Sequence, residues 1–224
     1  MKQGLLPLDP TDATAVEHMA RLHAELLPGS PIARLGRRFM TRFYYRSLVA
    51  DGLLGCYLDY VDGQPAGFIA CTAQPTRFMI EGLKRHWLYL PAVLLLEIVT
   101  DPRRLRVILW TLRYMRRGAG TPAEPGEGEI LSFGVVSEFR TPRFVRRSGR
   151  RVSWELFMRA RDYFRVAGVE RYRAVVQSDN REALMFYHAQ GCRVKQGVTG
   201  GPRTLVIACQ ESCDAGEDRI VGNQ

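Results

Sequence analysis

The sequence predicts a mixed α/β domain, a twisted sheet flanked by helices, and three observations carry that reading. Between residues 129 and 194 the chain alternates strand, turn, helix, strand, helix, strand, the order of a crossover unit. Upstream, two short alternating runs flank Asp62-Gly63, a strong hairpin signal. A chain of 224 residues, 46% hydrophobic and 25% charged, suits one domain with its own core and excludes wholesale disorder.

Taken in order, residues 11–27 form the first expected helix, with Thr11 as a cap and Val16, Met19, Ala20, His23 and Leu27 on one side. Pro28-Gly29 ends it. A second helix is expected over 31–49, where Leu35, Phe39, Phe43 and Leu48 mix with Arg34, Arg37, Arg38, Arg42 and Arg46. Strands over 56–61 and 66–72 make the hairpin. Residues 77–117 then read as two helices, 78–99 and 101–116. In them Lys84, Arg85, Arg103, Arg104, Arg106, Arg113, Arg116 and Arg117 interleave with Trp87, Leu88, Tyr89, Trp110 and Tyr114. That pattern suits a helix lying on an anionic membrane surface; it equally suits an insertion packed on its own domain or on a second subunit. Residues 118–128, rich in Gly and Pro, read as a flexible linker.

EILSFGVV, residues 129–136, opens the crossover unit as a buried strand. An arginine-crowded turn runs to Gly149. Ser153, Phe157, Ala160, Phe164 and Ala167 then share one helix face, and Gly168 suits the stop. A strand follows over 171–177, then a helix capped by Asp179 or Asn180 and ending at Gly191, then a strand from Cys192. The glycine-rich loop 197–202 leads to a last strand, 204–208, and the polar tail 211–224 frays. Helix N-termini in such a unit are ready to hold phosphate.

The net charge of +9, mostly arginine, points to anionic partners: a nucleotide cofactor, nucleic acid or an acidic membrane face. Of the five cysteines, Cys56, Cys71, Cys192 and Cys209 fall in strands, where a thiol acts as a small apolar filler; Cys213 lies in the tail. Their odd number and the absence of a secretory leader argue for a reducing cytoplasm, and their spacing suits no metal. The longest apolar run, 88–99, contains a proline and a glutamate and is too short to span a bilayer. The expected location is cytoplasmic, and residues 77–117 leave open a peripheral contact at the inner face of the membrane.

DNREALMFYHAQGCRV resembles the N-x-x-A-x-x-F-Y-x-x-x-G-F segment of the GNAT superfamily of acetyl-CoA-dependent N-acetyltransferases, with Asn180, Ala183, Phe186, Tyr187 and Gly191 at the family spacing and Cys192 in place of phenylalanine. GEILSFGVVSEFR is similar to that family's central strand. The resemblance covers roughly residues 50–210 and implies one domain over 1–210. Its sheet is mostly antiparallel, and 77–117 forms a helical insertion before the cofactor strand. It implies acetyl-CoA as co-substrate, no metal, and a pair of N-terminal helices bordering the acceptor. The family's Gly-rich phosphate loop is lengthened here by about eight residues and keeps only Gly149. Arg151 and Ser153 stand where small residues belong, so arginine forks could replace part of the amide cradle. The expected cofactor-binding residues are Phe133, Val135, Val136, Arg147, Ser148, Gly149, Arg150, Arg151, Ser153 and Asn180. Asn180 also suits a simple helix cap.

Acetyl transfer to an amine requires a base, because an ammonium has no free lone pair, donors for the oxyanion, and an acid for the thiolate. By resemblance Tyr187 is the acid. Glu129 is either the base, acting through water, or a solvated strand end. The histidines His18, His23, His86 and His188 form no pattern. The leading expectation is transfer to a small-molecule or glycan-linked primary amine in a ternary complex. The alternatives are a macromolecular amine, tRNA-linked or protein, and a non-catalytic acyl-CoA-binding module. A homodimer is compatible with the sequence; nucleic-acid binding is disfavoured.

Overall fold

In the computed structural model, which describes residues 2–102, 104–109, 122–195 and 203–210, one seven-stranded sheet has the order β1-β2-β3-β4-β5-β7-β6. The strands are β1 (Gly4–Pro7), β2 (Gly55–Val61), β3 (Gln64–Thr72), β4 (Glu127–Val135), β5 (Arg171–Gln177), β6 (Arg193–Val194) and β7 (Thr204–Gln210). Only β4 and β5 pair in parallel; every other pair is antiparallel. The β2–β3 turn is the expected one: Asp62 and Gly63 take φ of 50° and 78°, the left-handed pair a two-residue hairpin loop needs. β1 is not expected from the sequence, because four residues show no alternation; pairing with β2 makes it a strand.

Helices cover both faces. Against one lie α1 (Ala13–Leu26), α2 (Phe39–Ser47, π-helical), α3 (Phe78–Arg85) and α4 (Leu90–Thr100). Their core joins Met19, Phe43, Tyr44, Tyr45 and Leu48 to Leu58 and Phe68 of the sheet. Against the other lie α5 (Pro142–Ser148), α6 (Val152–Val166) and α7 (Arg181–Ala189). There Leu156, Phe157, Ala160 and Phe164 bury completely on Ile69, Ile130 and Tyr172. Gly67 is required at that contact, since a Cβ would lie 2.9 Å from Leu156 and 3.0 Å from the Gly134 carbonyl.

Three helical expectations are corrected. The helix over 31–49 breaks at Gly36, whose φ of 107° suits glycine. The helix over 78–99 splits at residues 86–89, where Pro91 starts a new helix and can donate no backbone bond to a continuing one. The arginine turn contains the helix α5, and Thr141 caps it. The linker 118–128 is shorter than read, because β4 already begins at Glu127. Residues 118–121 and half of 101–116 lie outside the described residues, as do the tail 211–224 and the loop 197–202.

The cysteines divide. Cys56 and Cys71 are buried thiols, as fillers should be. Cys192 and Cys209, expected to be reduced, form a disulfide. The antiparallel register next to Arg193↔Ala208 sets them face to face across β6 and β7. Sequence spacing says nothing about that approach.

Arg150, Asp59 and Glu155 lock α6 to β2. Asp59 is fully buried, and Arg150 Nη2 donates to both its carboxylate oxygens, at 2.8 and 2.7 Å, as well as to Glu155. Burial raises the Asp59 pKa, and the Arg150 guanidinium opposes the rise. Removing the partner of a buried charge is costly, so Arg150→Ala lowers stability by about 3 kcal/mol in urea unfolding. Asp59→Asn in that background should recover part of the loss.

His23 is also interior. Its Nδ1 faces the Tyr45 hydroxyl, its Nε2 lies 2.8 Å from Ser30 Oγ, and burial pushes its pKa down to about 4. Between pH 6.5 and 4 the unfolded chain binds a proton that the folded chain refuses, so stability is lost as the pH is lowered across that window, by about 3 kcal/mol at its acid end. His23→Gln should flatten that part of the profile relative to the parent.

Candidate active site

β4 and β5 pair only from Glu127↔Arg171 to Ile130↔Ala174. Beyond that point β4 continues against β3 to Val135, while β5 continues against β7 to Gln177. The two strands part, and each leaves an edge without its neighbour. A bulge marks the place: Cys71 pairs with Ile130 and Ala70 with Ser132, so Leu131 is the extra residue. A cleft of about 520 Å³ opens at the split. Phe133, Gly134 and Val135 of β4 form one wall; Ala183, Phe186 and Tyr187 of α7 form the other; Ser153 and Asn180 complete it with the turn after β4. Unpaired strand groups facing a cleft need partners, and a ligand amide or carbonyl can supply them.

Tyr187 is 4% exposed, its ring held by Phe133, Phe157 and Phe186. Among the described residues its hydroxyl has no hydrogen-bond partner, and the residue lines the cleft. Burial pushes its pKa well above the ordinary phenol value, so it stays protonated and can donate. Packing in three aromatic contacts fixes the ring; the unpaired hydroxyl is left for a ligand.

Glu129, read from the sequence as either a base or a solvated strand end, lies one residue before the split and is half-buried. Arg173, opposite it on β5, holds the carboxylate through Nε and Nη2, each at 2.8 Å. Burial raises the Glu129 pKa and Arg173 opposes the rise. The side chain does not line the cleft. Nearby, Ser132 Oγ is fully buried beside Tyr44 and Tyr45, without a hydrogen bond of good geometry.

The arginine turn sorts into two sets. Arg150 is committed to Asp59 and Glu155, which removes it from the expected cofactor set. Arg143, Arg146, Arg147 and Arg151 are exposed, and their guanidinium groups have no carboxylate partner among the described residues. Arg140 reaches Glu182 at 2.5 Å across the mouth of the cleft. Arg143 and Arg147 line a second hollow of about 340 Å³ with Phe139 and Phe144. Ser148 and Gly149 end α5, through the Ser148 hydroxyl donating to the Phe144 carbonyl and the Gly149 φ of 69°; neither is in an open loop. The Val136 amide donates to the Ala66 carbonyl at 2.9 Å, so it too is occupied. Asn180 caps α7 by accepting from the Ala183 amide at 3.1 Å and also lines the cleft. The N-cap residue of α6 makes no side-chain cap, but the Glu155 carboxylate accepts from the Arg151 amide at 2.9 Å, which leaves the amides after Arg151 for an anion.

Sequence reasoning missed Ser137, Arg140, Thr141, Pro142 and Glu182 on the cleft wall. The signal for α5 was present: Thr141 then Pro142 opens a helix and Gly149 closes one. For the buried Ser132 there was none, because a lone serine in a strand is ordinary.

No protein-family model matches the sequence, and no curated protein matches it. Solved structures do. PaiA N-acetyltransferase from Thermoplasma acidophilum, in complex with coenzyme A, matches at TM-score 0.53 and 12% identity over 94% of this chain and 99% of that chain. An acetyltransferase from Thermus thermophilus matches at TM-score 0.50 and 18% identity, over 94% and 97%. A protein from Desulfovibrio desulfuricans, assigned as a GNAT-family acetyltransferase, matches at TM-score 0.50 and 12% identity, over 92% and 97%. With the strand split and the helices that flank it, these matches establish that the chain has the fold of the GNAT acetyltransferases.

Proposed function

We propose that this chain is an N-acetyltransferase. In this reading it moves an acetyl group from acetyl-CoA to a primary amine of a small-molecule or glycan-linked acceptor, by direct transfer in a ternary complex. The observation that carries the reading is the unpaired Tyr187 hydroxyl in the cleft between the parted strands. Coenzyme A bound to the Thermoplasma structure supports the choice of donor.

The residues fit the donor. The open edge of β4 at Phe133 and Val135 can pair with the amide-rich pantetheine arm, and Phe133, Val135 and Phe186 give the cleft apolar walls for it. The diphosphate meets the first turn of α6 near Ser153, beyond the Arg151 amide that Glu155 holds, and the exposed forks of Arg147 and Arg151. Those side chains stand in for the missing glycine loop. The acceptor amine must reach the thioester carbonyl unprotonated. Glu129, paired with Arg173, draws the proton away through water, since the carboxylate does not itself line the cleft. β4 backbone donors steady the oxyanion. As the carbon–sulfur bond breaks, Tyr187 gives its proton to the departing thiolate. No residue needs to be acylated.

Acetyl-CoA near saturation should raise the melting temperature by about 5–10 °C, while inorganic polyphosphate at equal charge should not. A rise with polyphosphate alone would leave a basic polyanion-binding module. Tyr187→Phe should slow coenzyme release with a panel of small primary amines by about 10²-fold, with the coenzyme dissociation constant changed less than about twofold. Equal losses in both would reduce Tyr187 to packing.

A further inference from the structure

We propose that the outer surface of α3, α4 and the residues just after them docks on an anionic lipid bilayer. The helix α4 is turned inside out for a protein surrounded by water. Its single charged side chain, Glu97, points inward, 2% exposed, and is held by the Arg38 amide at 2.6 Å and by Arg104. Leu90 and Val93 accompany it inward. Its outer face presents Leu95 at 59% exposure, Leu96 at 45% and Val99 at 71%. The bend before it exposes Trp87 and Leu88, at 65% and 74%, and the segment after it exposes Leu105 and Leu109. An apolar face this extensive on one insertion marks an interaction surface.

Charge decides what covers it. Residues 77–117 hold nine Lys and Arg against three Asp and Glu, a net of +6 out of the chain's +9. The three carboxylates are neutralised locally: Glu97 and Asp101 by Arg104, Glu81 by Arg85. Arg77, Lys84 and Arg106 are exposed and have no carboxylate partner among the described residues. A second copy of the chain would bring the same cations together across a two-fold contact, which repels. Exposed aliphatic side chains and a tryptophan, with unpaired cations on the same segment, match acyl chains below anionic headgroups. No helix among the described residues is long and apolar enough to cross a membrane, so the contact lies along the surface. This docking stands independently of the acetyltransferase reading.

The test is flotation of the full chain with phosphatidylcholine vesicles, with and without phosphatidylglycerol, at low and high salt. Phosphatidylglycerol should increase the bound fraction by roughly tenfold or more, and high salt should reverse most of that gain. Leu95→Ser with Val99→Ser should cut binding by roughly tenfold, as should Lys84→Glu with Arg106→Glu. Val166→Ser, which alters an exposed apolar residue on α6, should change nothing. All variants should keep the parent melting temperature and its acetyl-CoA shift. Equal binding to both vesicle types, or binding that ignores the Leu95 and Val99 changes, overturns the proposal. So does a dimer in gel filtration that those two changes dissociate without altering flotation.

Discussion

The parting of β4 from β5 after Ile130 and Ala174 dictates how everything around it packs. A continuous sheet would satisfy its own backbone groups and leave nothing for a ligand. Here Phe133, Phe157, Phe186 and Tyr187 pack edge to face behind the opening and keep the strands from closing on each other. The same cluster fixes the face of α7 that reaches the cleft. Fold, cavity and the placing of Tyr187 are therefore one packing solution, and the bulge at Leu131 is its mark on the strand register.

Around that opening the protein uses arginine in two physically different ways. Arg150 and Arg173 each grip a carboxylate whose pKa burial raises and the guanidinium opposes. They fix α6 to β2 and Glu129 to β5. Arg143, Arg146, Arg147 and Arg151, on and after α5, stay in solvent, and their guanidinium groups have no carboxylate partner among the described residues. Only the second kind can receive a phosphate without breaking the fold. Folding part of the turn into α5 places Arg143 and Arg147 on a second hollow that shares Thr141 with the cleft.

The opposite layer has a different polarity. α1 and α2 bury an aromatic core in which His23, Tyr44 and Tyr45 meet, a polar knot kept neutral by desolvation. α3 and α4 are pinned to that layer by Phe78, Leu90 and Ile108 and by the inward Glu97. Their outward face therefore inherits the apolar residues that the inward face has no room to bury. Surface chemistry of this kind follows from where the one carboxylate is satisfied.

Much of this was legible along the chain. Asp62-Gly63 fixed its hairpin, the apolar spacing in 153–164 its helix, and the Asn180–Gly191 segment its cap, its tyrosine and its stop, because each of these is decided by neighbours within a few residues. Contacts between distant residues were not legible. Nothing local distinguishes Arg150 from Arg147, yet Asp59 lies 91 positions from the first and claims it. Nothing local pairs Cys192 with Cys209 instead of leaving each a filler thiol. Spacing along the chain set the elements and the chemistry available to them. Which charges are buried in pairs and which stay free was settled by packing, because burial and approach are properties of surfaces brought together and not of residue order.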